Sequence, residues 1–508
     1  MRLLPFLVAL VASPAWAQDS FYSDASIDLD GELLSWRFID LDLDGADELV
    51  IGVRAPSGGR ELRVHRMERE RVVLEPDAVV PMLGDVLAWG AADVRDEPGA
   101  ELLLLTRGGV FSYSLTLEGY RDNARPLVRE PLVYDLPDPR ALPFWAYTFG
   151  GKDGRDLVLV PGREHYSVWG PSGDEGVYEE RARWAVERDG ADAEPSEDRR
   201  RRGGRPEATN PFLREDGAGD AEVLSDAHRY KAPALVDLEG DGWMDLVVSS
   251  PGELRIYPGG PEGPSPERVL TEMLPKGLVA TKDLTVDLRL VDVDDDGDLD
   301  LFGVASDDVD GFENAIHRVF VYRYRDGRLI GDKPDQLLRF EGAALRAEIA
   351  DVDGDGRRDL ALRKFELPSV VETVTGLEFE FRYLVYLGGR KGFERRPIFE
   401  HLEVYDEDTV AELAANRDLT MDCDGDGIAD LVELDLGGAL QVRRLKRDSG
   451  FFSGETWSLE DTPWKRFERG GQILSLEVRD LNGDSVGDIV SGGEDRLTVL
   501  LSSKRRRR

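Results

Sequence analysis

The chain runs to 508 residues and carries 102 Asp and Glu against 64 Lys and Arg, a formal net charge of −38. Such a surplus of acid argues against nucleic acid or an anionic membrane as partner, because phosphate recognition needs clustered cations. A single Cys rules out an intramolecular disulfide, so rigidity has to come from core packing or from metal.

Residues 1–17, MRLLPFLVALVASPAWA, hold one basic residue, an apolar core over 3–12 and an Ala15-Trp16-Ala17 end, the pattern of a secretory signal peptide cleaved before Gln18. No Cys follows the cut to take a lipid, and no later apolar run nears the roughly 20 residues needed to span a bilayer. The expectation is an exported protein without a membrane span, periplasmic or secreted.

A short strand-like run at 21–29 precedes the first repeat, whose strands are predicted at 36–39, 49–53, 62–67 and 71–74, with Asp40, Asp42, Asp44, Gly45 and Glu48 between the first two. Two segments then keep the rhythm without the acids: Asp93, Arg95, Glu97, Pro98 and Glu101, and the stretch 149–159 around Lys152 and Asp156. Residues 188–228, rich in Arg, Asp, Glu, Gly and Pro, read as a disordered excursion. The fourth repeat has strands predicted at 233–236, 246–249, 253–257 and 267–273 around Asp237, Glu239, Asp241, Gly242 and Asp245. The same acids recur as Asp292, Asp294, Asp296, Gly297 and Asp300; as Asp351, Asp353, Asp355, Gly356 and Asp359; and as Asp422, Asp424, Asp426, Gly427 and Asp430. A last copy has Asp480, Asn482, Asp484 and Asp488, with Ser485 in place of Gly, and residues 502–508 form a basic, frayed tail.

Oxygens at positions 1, 3, 5 and 9 of a loop, with a Gly at 6 to allow the sharp turn, suit a hard cation that takes six to eight oxygen ligands. The helix-flanked EF-hand needs an acid at position 12, where the loop that starts at Asp292 has Gly303. Its flanks, Leu288, Leu290, Val291 and Val293 before and Leu301, Phe302 and Val304 after, are strand-length apolar runs without helical spacing. Five to six Ca²⁺ sites are therefore expected. The six better copies hold 23 carboxylates at ligand positions, so six divalent ions would leave roughly −26. Loop 480 should bind weakly and the two degenerate segments not at all, with Arg95 or Lys152 standing where a metal would. Cys423 falls at position 2, where other loops have Leu41, Leu238, Val293, Val352 and Leu481, and reads as a small buried hydrophobe.

Most copies start 53 to 71 residues apart, with one longer gap of about 89, the scale of a propeller blade. Four short antiparallel strands per repeat, about eight times over, indicate an all-β, monomeric β-propeller in one domain over 18–501. Eight motif-like segments argue for eight blades; seven follow if one degenerate segment is padding. The eighth repeat supplies strands only at 473–478, 488–491 and 497–501, and residues 21–29 can complete it, closing the ring without an open edge.

These loops resemble the FG-GAP repeats of integrin α-subunits and the related VCBS repeats of bacterial exported proteins, over nearly the whole chain after the signal peptide. The Phe-Gly and Gly-Ala-Pro elements of the integrin type survive only as fragments such as Phe149-Gly150 and Phe302-Gly303, which favours the bacterial form. The resemblance implies that each loop joins the innermost strand of a blade to the second, with the matching acids as calcium ligands.

No catalytic site stands out. His65, His165, His228, His317 and His401 are scattered, there is no Gly-x-Ser-x-Gly elbow, and the acids recur at fixed loop positions as ligation predicts. The expected role is a calcium-stabilised module that holds a protein or glycan at the cell envelope or outside the cell. Alternatives are a lectin, although Trp36, Trp89, Trp145, Trp169 and Trp243 keep no single register, and a propeller enzyme such as the polysaccharide lyases that similar calcium-bearing propellers include. Added length at 188–228, 306–316 and 365–376 is expected on the face opposite the acidic loops, with Phe312, Phe365, Leu367 and Val370 as apolar anchors.

Overall fold

The computed structural model describes residues 21–503, apart from short breaks and the stretches 116–122, 131–141, 186–232, 308–314, 367–377 and 407–415. Among the described residues, eight four-stranded antiparallel sheets make an eight-bladed β-propeller, which excludes the seven-bladed alternative. Blade one consists of Glu32–Ile39, Glu48–Arg54, Arg60–His65 and Ala78–Met82, numbered outward from the axis. Second strands such as Glu48–Arg54 and Glu101–Thr106 are buried almost throughout, because each is paired on both edges and covered on both faces by neighbouring blades. That is why they read as continuous apolar runs. Outer strands such as Gln336–Glu341 instead alternate between half-buried and exposed residues.

The core lies between blades rather than at the axis. Blades five and six, for example, meet through Phe302, Val304, Val319 and Val321 packed on Leu345, Ala347, Leu360 and Leu362. Ring closure follows the expected route. Tyr22–Asp28 pairs antiparallel with Arg496–Ser502, from Tyr22 opposite Ser502 to Asp28 opposite Arg496, and becomes the outer strand of blade eight. The Tyr22 hydroxyl reaches inward to the carbonyls of Cys423 and Gly487, at 2.9 and 3.0 Å, tying the first strand to the loops of blades seven and eight.

Three local expectations change. The outer strand of blade one is Ala78–Met82, not 71–74; Arg71–Val72 instead folds onto Met67–Glu68 as a small ribbon. The later strand wins because it sets Val80 and Met82 into the core beside Leu62 and Val64. The outer strand of blade four begins at Leu270 rather than 267. Phe365 is no surface anchor: it is 4% exposed, with its ring 4.8 Å from that of Phe381. Strand pairing carries blade six out to Glu366, so Phe365 belongs to the sheet and not to the insertion.

Two features had no counterpart in the sequence reading. Residues 142–145 lie against the innermost strand of blade two, where the Trp145 N–H donates to the Trp89 carbonyl at 2.6 Å. A hairpin, Leu445–Gly450 with Gly454–Leu459, is inserted between the third and fourth strands of blade seven, on the acidic-loop side. The signal peptide, Phe312, Leu367, Val370, residues 188–228 and 504–508 lie outside the described residues. Among those described, no helix is long and apolar enough to cross a membrane.

Candidate metal centres

Each complete loop is wound by its own carboxylates. The N–H of position 6 donates to the position 1 carboxylate at 2.9 Å in Gly45 to Asp40, 2.8 Å in Gly242 to Asp237, 3.0 Å in Gly297 to Asp292, 2.9 Å in Gly356 to Asp351 and 2.7 Å in Gly427 to Asp422. The position 7 N–H donates to position 5, as in Ala46 to Asp44 and Ile428 to Asp426. Positions 4 and 6 both adopt the left-handed backbone, for example Gly354 at φ 72° and Gly356 at φ 85°. Leu43, Asp295 and Ser485 take it at φ 61°, 58° and 65°, a conformation that costs a non-glycine residue about 1–2 kcal/mol.

Position 9 does more than offer a ligand. One oxygen accepts the position 2 N–H, as in Glu48 to Leu41 at 2.8 Å and Asp359 to Val352 at 2.9 Å. The other oxygen, in Asp245, Asp300, Asp359 and Asp488, accepts an N–H at or just past the end of the third strand, from Gly259, Tyr324, Gly388 and Ser502. This buried clamp ties the loop to its sheet. Burial pushes Asp300, Asp359 and Asp488 up to about 6, and burial reinforced by Asp424 pushes Asp430 to about 8.

Four loops gather acids tightly. Oxygens of Asp40, Asp42 and Glu48, of Asp292, Asp294 and Asp300, of Asp351, Asp353 and Asp355, and of Asp422, Asp424 and Asp430 lie within 4.8 Å of one another. Asp294 Oδ1, Asp351 Oδ1 and Asp430 Oδ1 are buried without a hydrogen-bond donor. Buried acceptors that converge and lack donors fit a cation. Loops 237 and 480 follow the same template without drawing three acids to that separation. Glu239 replaces the shorter Asp at position 3 of the former, and Asn482 of the latter donates to the Ser502 carbonyl at 2.8 Å.

No family model and no curated protein matches the chain. A solved structure, from work on specific recognition of non-reducing terminal N-acetylglucosamine by an Agrocybe aegerita lectin, is similar over 84% of this chain and 87% of its own, at 14% identity and a TM-score of 0.35. That likeness carries no argument about ligands.

The degenerate loops are closed by arginine, though not the one expected. Arg95 turns away into the sheet, where it donates to Ser112 Oγ at 2.8 Å and to the Asn123 carbonyl at 2.9 Å. Lys152 pairs with Glu262. The cation that meets Asp93 is Arg155 of blade three, which also lies 2.8 Å from Asp96 in blade two, while Arg125 lies 3.1 Å from Glu97. Two complete loops also carry an arginine that sequence spacing did not flag. Arg323, just past the third strand of blade five, lies 2.8 Å from Asp294, and Arg444, at the same place in blade seven, contacts Asp424. A recurring Arg one residue past the third strand was the only available signal. Cys423 is fully buried at position 2, alongside buried Leu41, Leu238, Val293 and Val352, as expected.

Neighbouring loops are joined by backbone. The position 8 N–H of one blade donates to the position 2 carbonyl of the blade before it, in Ala100 to Leu41 at 2.7 Å, Leu299 to Leu238 at 3.0 Å and Ala429 to Val352 at 2.9 Å.

Proposed function

We propose that this chain is an exported, calcium-loaded β-propeller of the FG-GAP/VCBS type whose rigid ring holds a protein or glycan partner at the cell envelope or outside the cell. The observation that carries the metal reading is the set of three buried carboxylate oxygens, on Asp294, Asp351 and Asp430, with no donor to accept. Calcium is the favoured ion because the donors are all oxygen and Ca²⁺ accepts six to eight ligands in irregular geometry, whereas magnesium demands near-ideal octahedral geometry. Residues Asp40, Asp42, Asp44 and Glu48, and their equivalents in loops 292, 351 and 422, would hold it, with loops 237 and 480 weaker.

A site with a dissociation constant near 10 µM in about 1 mM calcium contributes roughly 2.7 kcal/mol to stability. Several such sites rival the 5–15 kcal/mol of an ordinary domain, in the absence of any disulfide. Catalysis is not part of the proposal, because the recurring acids are spent on loop winding and ligation. The test is a melting curve in chelator, then with calcium or magnesium restored. A large fall reversed by calcium and poorly by magnesium is expected, and an unchanged curve overturns the metal reading. Partner class is tested separately, by a glycan array beside capture from envelope extract using the calcium-saturated protein. Failure of both arms overturns the interaction role and leaves the metal reading standing.

A further inference from the structure

Blades six and seven meet through an apolar cluster near the acidic loops, around Val352, Val385, Leu419 and Leu431, and another toward the opposite face, around Phe365, Phe381 and Val432. Between the two clusters the interface is charged. Arg417, from the innermost strand of blade seven, is gripped by Glu403 and Glu433, and Arg443 lies 3.5 Å from Glu433 as well. Arg346 lies 2.8 Å from Glu348 on the innermost strand of blade six. Asp418 accepts from the backbone and hydroxyl of Thr420, at 2.9 and 2.6 Å. These groups satisfy one another.

Arg363 stands apart. Its guanidinium carbon sits 4.8 Å from the centre of the Phe381 ring and 5.5 Å from that of Tyr383. Its Nε and Nη2 are shut off from solvent with no hydrogen-bond partner, and so is the Tyr383 hydroxyl. Arg346, Glu348, Arg363, Tyr383 and Arg417 line one cavity of about 20 Å³, in which Glu348 is already paired with Arg346. In the pairs just described Arg346 offsets Glu348, and Arg417 with Arg443 offsets Glu403 with Glu433. Asp418 is the carboxylate that remains to balance Arg363, but it accepts from Thr420 and not from Arg363, so two guanidinium N–H donors stay unbonded in a place where an unsatisfied donor is costly.

We propose that this cavity binds one small monovalent anion, of halide or nitrate size, held by the Nε–H and Nη2–H of Arg363 and by the Tyr383 hydroxyl. Nε and Nη2 form the side edge of a guanidinium, two parallel donors suited to a single anionic acceptor. The volume admits one water-sized or halide-sized species, since roughly 10–15 Å³ is the least that holds a water, and it is too small for a sugar or peptide. The anion would sit between two blades that elsewhere adhere by apolar packing and by the Arg417–Glu403 pair.

Bromide is the probe. Crystals of the full, calcium-saturated chain soaked in sodium bromide are expected to show anomalous density within hydrogen-bond reach of Arg363 Nε and Nη2. In solution, at fixed ionic strength, chloride or bromide is expected to raise the melting temperature relative to gluconate, which is too large to enter. Arg363→Met should remove that dependence. Tyr383→Phe keeps the cation and the ring, so it guards against a variant that fails to fold; it should weaken half-saturation by halide several-fold. A cavity holding water alone, or equal melting in halide and gluconate, overturns the proposal.

Discussion

The guanidinium of Arg155, in blade three, contacts the carboxylate of Asp93 in blade two, at the position where the complete loops begin their set of acids. A tethered cation thus occupies the place that a diffusible one would take. The same aspartate is tied by backbone as well: its N–H donates to Asp156 Oδ2 at 2.8 Å, and its carbonyl accepts from the Asp156 N–H at 2.9 Å.

Replacing Arg155 should therefore destabilise the fold independently of metal. The pair is partly exposed, so Arg155→Ala is expected to lower stability by about 1 kcal/mol in urea unfolding, by the same amount with calcium or with chelator. A loss seen only in calcium would mean that the degenerate loop binds metal after all.

Arg323 presents the opposite case, a fixed cation beside a loop that has kept its acids. Charges of +1 and +2 about 6 Å apart repel by ~1.4 kcal/mol even at the dielectric of water, a factor of about ten in affinity. Arg323→Met is expected to tighten calcium binding at the blade five loop by about that factor, read by titration calorimetry. Unchanged or weaker binding would assign Arg323 to positioning Asp294 rather than to competing with the ion.

Arg417 is the paired counterpart of Arg363 in the interface of blades six and seven. Removing it leaves Glu403 and Glu433 buried without their shared cation, a loss of about 3–5 kcal/mol for a broken buried pair. Arg417→Met should show that loss in urea unfolding at saturating calcium. A change below about 1 kcal/mol would mean that water reaches the carboxylates.

The metal-free protein should weaken as pH rises. Burial holds Asp300, Asp359, Asp418 and Asp488 at about 6, Glu101 at about 7 and Asp430 at about 8. Each binds its proton more tightly in the folded state than in the unfolded one, where carboxylates titrate near 4. Their contribution is therefore complete below about pH 4 and is lost as pH climbs through 6 to 8. His65 and His317, pushed down by burial, act in the other sense, contributing stability above about 6.5 that is lost as pH falls below it, but they are two groups against six. In chelator the urea midpoint should be higher at pH 5.5 than at pH 8, and in excess calcium the order should reverse because ligation requires ionised carboxylates. A midpoint that rises with pH in chelator would contradict the burial of these acids.

The acidic loops, the strands beside them, the count of eight and the closing strand were legible in the chain because each rests on local chemistry. Strand periodicity shows at a spacing of two, and the turn at position 6 shows as Gly45, Gly242, Gly297, Gly356 and Gly427. The second left-handed position, residue 4, was less visible because Leu43 and Asp295 accept the strain there. What only the tertiary structure decided was who faces whom. Arg155 reaches Asp93 across 62 residues of chain, Arg363 and Arg417 share a cavity from different blades, and Phe365 is covered by its own sheet. Alternation along a strand says which residues share a face; it does not say which neighbour covers that face. In this propeller most blades are covered by blades 53 to 71 residues away in sequence, and blades one and eight cover each other across nearly the whole chain. The pairing of charges across those faces is therefore settled by the closing of the ring.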